Sequence, residues 1–192
     1  MRLLLALPFL LLPLALAQAS EHEDEHGSLG KHEHGVASLN LALDGNTLEI
    51  QLESPAMNIV GFEHAASSAA DQARVAAAKA ALEQPLQLFN LPAAADCSLT
   101  RSELDSPLFG GAAHAHAKDE HEHEHEHEEG HEHSDVDADY SFNCNQPDAL
   151  QQLDLSKLFE QFPATHKIAV QLIGRNGQQG AELTPAQARL SF

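Results

Sequence analysis

The sequence predicts an α+β fold: a mostly antiparallel sheet with one main helix and a disordered His/Glu-rich insertion at a hairpin tip. Three observations predict it. Two period-2 apolar runs flank an Asp-Gly turn near residue 45, an alanine-rich stretch stops at a proline, and clean alternation begins directly after a histidine-rich tract. Strands joined by turns, with one helix crossing between hairpins, suggest an α+β domain with a mostly antiparallel sheet.

The first element is not part of that fold. Met1-Arg2 is a short positive start, Leu3 to Leu16 is apolar apart from Pro8 and Pro13, and Ala17-Gln18-Ala19 is a small-x-small cleavage pattern. Residues 1–19 therefore read as a signal peptide, and the mature chain is expected to begin at Ser20. A membrane anchor is the competing reading. The run falls short of the roughly 20 residues a spanning helix needs, and acidic sequence follows at once. No later stretch is apolar for long enough, so no membrane span is expected in the mature chain.

Ser20 to His34 is polar and aperiodic and reads as a flexible arm. Residues 35–192 read as one domain. In it, Leu39, Leu41 and Leu43 alternate with polar or small neighbours, Asp44-Gly45-Asn46 turns the chain, and Leu48, Ile50 and Leu52 alternate again. That is a hairpin signal. Ser54-Pro55 ends the second strand, and Pro55 to His64 is irregular by pattern. Ser68-Ala69-Ala70-Asp71 has the form of a capping box, opening a helix that runs to Gln84 and stops at Pro85. Leu86 to Leu91 is apolar and reads as buried. Cys97 to Leu104 alternates weakly, whereas Val136, Ala138, Tyr140, Phe142 and Cys144 alternate cleanly as a strand. Between them, about 107–134, lies the insertion. Leu150 to Phe162 resembles a short helix or turn. Ile168, Val170 and Leu172 form a strand, Gly174 to Gly180 a turn, and Ala188 to Phe192 a last strand.

Charge narrows the partners. A formal charge of −19 is repelled by phosphate backbones and anionic lipids, which argues against nucleic acid and for cations. Cys97 and Cys144 are the two cysteines. In an oxidising compartment such a pair reads first as a structural disulfide; a metal–thiolate or redox site lacks the C-x-x-C spacing that would support it. If the flanking strands pair, the two cysteines lie opposite one another at the base of the hairpin.

The histidines carry the chemistry. Of 14 in the chain, His22, His26, His32 and His34 lie in the arm, and His114, His116, His121, His123, His125, His127, His131 and His133 in the insertion. Neutral imidazole is a ligand for zinc, copper and nickel. In His121-Glu122-His123-Glu124-His125-Glu126-His127, an extended backbone puts the imidazoles on one face; a helical one pairs them at i, i+4. The glutamates concentrate cations and can complete a zinc shell. The blander alternative is a solvated low-complexity loop that binds metal incidentally. His32-Glu33-His34-Gly35 runs straight into the first strand. His64 alone reads as a surface or capping residue, and His166, beside Lys167 at a strand start, as a surface residue. Convergence of His32, His34 and His64 on one ion, with Glu63 or water completing a tetrahedron, is the sharper expectation.

The stretch HEHGVASLNLALDGNTLEIQLESPAMNIVGFEHA, His32 to Ala65, resembles the start of the ZrgA-like family of periplasmic zinc-uptake proteins. The H-x-H-G opening, the S-P-A-x-N-I-V-G-F-E-H segment and the His/Glu tract between two cysteines carry the resemblance, which spans essentially the whole mature chain. It implies a periplasmic zinc-binding protein that assists import beside ABC-type zinc transporter components, and its matching positions are His32, His34 and His64. The alternative function is a periplasmic buffer or detoxification protein for zinc, copper or nickel. An enzyme is not expected: no G-x-S-x-G or phosphate loop is present, and no preorganised three-ligand site with a base is evident.

Overall fold

A computed structural model describes residues 33–110 and 134–192. The expected signal peptide, most of the arm and nearly all of the insertion lie outside the described residues.

Strand β1 (Val36–Asp44) and strand β2 (Thr47–Pro55) form the expected hairpin, turning through Gly45 at φ +57°. Their antiparallel register sets Leu39 opposite Leu52, Leu41 opposite Ile50 and Leu43 opposite Leu48, so the whole leucine set shares one face. Helix α1 (Ala56–Val60) follows at once and ends at Gly61 in the left-handed conformation. Sequence pattern leaves this stretch irregular, because five residues are too few to show a helical period. Helix α2 (Ala69–Leu82) is the long helix. The Ser68 hydroxyl accepts from Asp71 N–H at 3.1 Å and donates to the Asp71 carboxylate at 2.6 Å, so the capping residues act as a pair. Helix α3 (Pro85–Leu88) is a single turn. Here the expectation of a uniformly buried run needs correction: Leu88 and Phe89 are buried, but Leu86 points outward and is 39% exposed. A helical turn rotates consecutive side chains by about 100°, so a short apolar run cannot all face inward.

Strand β3 (Cys97–Asp105) pairs antiparallel with β4 (Asp135–Cys144), joining Cys97 to Cys144 by a disulfide. β3 is an edge strand, mostly exposed and bulged between Leu99 and Arg101, which explains its weak alternation. β5 (Gln152–Asp154) and helix α4 (Ser156–Gln161) precede β6 (Lys167–Gly174). β7 (Gly177–Leu183) then pairs with β6, so the turn expected over Gly174 to Gly180 is confined to Gly174–Gly177. Its polar, glycine-containing sequence hides the strand because only Leu183, at its end, is buried. β8 (Arg189–Ser191) pairs with β5 in a separate two-stranded sheet.

The large sheet runs β3-β4-β2-β1-β6-β7 and is mixed, because β6 lies parallel to β1. The parallel pairing has a local cause. From α4 the chain returns to where β1 begins, and the His166 and Lys167 N–H groups both donate to Gly35 O, at 2.7 and 3.0 Å. β6 therefore starts level with β1. The inner face carries Leu39, Leu48, Leu52, Ala138, Tyr140, Phe142, Val170 and Leu172, all at most 2% exposed. Burial of each large aliphatic or aromatic side chain contributes roughly 1.5–3 kcal/mol. α2 lies against this face through Val75, Ala78 and Leu82, with the Tyr140 hydroxyl donating to Leu82 O at 2.8 Å. Among the described residues no helix is long and apolar enough to cross a membrane.

Candidate metal centre at one end of the sheet

The pairings put five strand termini at one end. Val36 at the start of β1 faces Lys167 at the start of β6, Pro55 at the end of β2 faces Asp135 at the start of β4, and Asp105 at the end of β3 faces Asp137. The described residues break off at Gly110, just past β3, and resume at Ser134, just before β4. The arm joins at Glu33, just before β1. Both histidine-rich segments are thus attached at this end, and His34, His64 and His166, the described histidines, stand there too. The opposite end carries the Gly45 turn, the Gly174–Gly177 turn and the disulfide.

Asn58 organises the corner. It is 2% exposed on α1; its Oδ1 accepts from Gly35 N–H at 2.6 Å, and its Nδ2 donates to Val36 O at 2.8 Å and Ser54 Oγ at 3.2 Å. One amide thereby fixes how the chain enters β1. Gly35 sits at φ +87°, and a Cβ there would lie 3.0 Å from His166 Nδ1. The positive φ favours glycine, and the close His166 ring adds to that preference, which gives the H-x-H-G motif a physical reason.

That anchorage aims His34 at Glu63. His34 Nε2–H donates to Glu63 Oε1 at 3.0 Å, with the carboxylate side chain only 15% exposed against 51% for the imidazole. Glu63 is held in turn by Ser134, whose hydroxyl donates to Glu63 O at 3.0 Å and whose carbonyl accepts from Ala56 N–H at 2.8 Å. The end of the insertion is therefore bonded to the residue that receives His34. Two ligands on a tetrahedral zinc at about 2.1 Å stand roughly 3.4 Å apart. The His34–Glu63 separation is close to that, so an ion can replace the shared proton with little movement.

His64 is placed differently. Its ring stacks on Phe62, centroids 4.7 Å apart and planes 15° apart, and its Nδ1 lies 3.1 Å from Ala65 O. His32 and the eight insertion histidines, His114, His116, His121, His123, His125, His127, His131 and His133, lie outside the described residues. Among the described residues no three His, Cys, Asp or Glu side chains are already gathered at metal-holding spacing. Sequence reasoning missed Asn58. Its signal was an amide set among apolar residues in Ala-Met-Asn-Ile-Val, where a buried polar group needs partners.

Carboxylates crowd the same end. On the outer face, Asp137 lies across from Glu53 on one side and Asp105 on the other. Burial, then repulsion from Glu53, Asp135, Asp105 and Asp139, pushes the Asp137 carboxyl up to about 6. Like charges directly opposite are destabilising. The folded state holds this proton more tightly than the unfolded chain does, so the cost is absent below the ordinary value of 3.8, grows as pH rises, and is complete above about 6. Asp137→Asn is therefore expected to stabilise the protein by roughly 1 kcal/mol at pH 7.5, the solvent-screened part of the shift. At pH 3.5 the gain vanishes. Urea denaturation at the two pH values checks this; an equal effect at both would show that repulsion is not its source.

No curated protein matches the chain in a comparison across the curated set. A family model described as the ZrgA family zinc uptake protein matches residues 31–192, which contain every structural feature described above, and the chain belongs to that family.

Proposed function

We propose that the chain is a periplasmic zinc-binding accessory protein: its histidine-rich segments capture zinc, and the folded end passes it toward an ABC-type transporter. Family membership supports zinc uptake as the process. The observation that carries the finer reading is the shared attachment of arm and insertion beside the His34–Glu63 pair. The insertion that carries His114 to His133 joins the fold beside an imidazole–carboxylate pair, and the carboxylates of Glu53, Asp105, Asp135 and Asp137 bias that end toward cations. His32, His34 and His64 supply candidate ligands where the arm meets the fold. Residues 1–19 as a signal peptide and the Cys97–Cys144 disulfide both fit an oxidising periplasm.

A strain lacking the protein is expected to grow poorly in chelated medium and to recover with added zinc but not copper or nickel. Normal growth under chelation, with sensitivity to excess metal instead, would favour the buffering alternative.

A further inference from the structure

We propose that His166 joins His34 and Glu63 as the third protein ligand of one zinc ion, in an open site where β1 and β6 begin. This rests on the zinc-capture reading above and names the ligands of its folded site.

His166 stands level with Gly35, one strand across, its N–H bonded to Gly35 O at 2.7 Å. Its ring lies against Gly35, with Nδ1 3.0 Å from the position of the missing Cβ. His34 is the residue before Gly35. Two imidazoles are thus rooted on either side of one glycine, on neighbouring strands roughly 5 Å apart. His34 already reaches Glu63 at 3.0 Å. Both histidines are exposed, and exposed side chains change rotamer within nanoseconds. Rotation of the exposed His166 side chain is the movement that would bring its ring to the pair.

The surroundings favour this partner over His64, whose ring is stacked on Phe62 with Nδ1 turned to Ala65 O. The adjacent cation, Lys167, is paired with Glu182 at 3.2 Å, so its charge is compensated at the mouth of the site. Two histidines and one carboxylate form a three-ligand zinc set that leaves a fourth position open. An open position is what an ion in transit needs, since the donor's or recipient's ligand can enter before the others leave. The same geometry explains Gly35 twice over: its conformation turns the chain, and its bare Cα lets the His166 ring come close.

The test is histidine footprinting with diethyl pyrocarbonate on the full, disulfide-bonded chain, read by peptide mass spectrometry at chelator-buffered free zinc. His34 and His166 are expected to lose reactivity together, at one zinc concentration, while His64 stays reactive. His166→Ala and Glu63→Gln are each expected to raise the zinc concentration protecting His34 at least tenfold. His166→Gln, which keeps side-chain bulk beside Gly35, should behave as alanine does; normal protection of His34 in it would mean the ring acts by packing. A reactive His166 at zinc levels that protect His34, or an unchanged midpoint in His166→Ala, overturns the proposal. Protection of His114 to His133 in the same spectra reports zinc capture separately, so failure of this site leaves that reading standing or falling by itself.

Discussion

Protein carrying Cys97→Ala and Cys144→Ala together is expected to lose about 4 kcal/mol of unfolding free energy in the chain-entropy account, and roughly 10 °C in Tm. The two cysteines are 47 residues apart in sequence, so the bond closes a long loop that the unfolded chain would otherwise explore freely. Its position adds to its weight. β3 is the edge strand and pairs with β4 alone in the large sheet, and Cys144 is fully buried with its N–H bonded to Asn46 O at 2.8 Å. Without the bond, an exposed strand must be held by its ladder and by little core. Urea denaturation of oxidised wild-type and the double variant measures the difference. A loss under 1 kcal/mol would mean that β3–β4 pairing persists in the unfolded chain.

The second large effect is on metal capacity. Replacing residues 111–133 by a short Gly/Ser linker removes eight of the 14 histidines. At two to four protein ligands per ion, roughly two to four zinc ions per chain should be lost. Stability should change little, provided Ser134 is kept. That residue is 7% exposed and ties Glu63 O to Ala56 N–H, so a deletion reaching it would damage the corner as well as the tract. Titration calorimetry gives the stoichiometry and thermal denaturation the stability. Unchanged stoichiometry would remove the tract from the capture mechanism; unfolding would show that it supplies core.

Where a strand buries one face, the residues announce it. β1, β2, β4 and β6 alternate because their inner side chains enter the core and their outer ones meet water, and the Ser68–Asp71 pair marks the start of α2 by its own chemistry. β7 carries only a faint mark, since its glycine, glutamine and glutamate residues leave Ala181 and Leu183 near its end as its whole apolar face. α1 is shorter than two turns and has no side-chain cap, so only tertiary packing of Ile59 and Val60 reveals it. The candidate site divides the same way. Histidine density and the H-x-H-G motif point to metal and to His34. The roles of Asn58, Glu63 and His166 arise from contacts made 23, 29 and more than 100 residues apart, which no local pattern encodes.

The order of strands also sets an order of events. β1 and β2 form a local hairpin, yet they occupy the centre of the large sheet, flanked by β4 on one side and β6 on the other. Val36 finds its partner only at Lys167. Contacts across such sequence distances close slowly, because loop entropy is lost before pairing repays it. During synthesis the leucine-rich hairpin exists long before the strands that cover its two edges, and unpaired edges invite other chains. An emerging chain must therefore be kept apart from its neighbours until β6 is available. The first hairpin to be made is enclosed only once β6 exists.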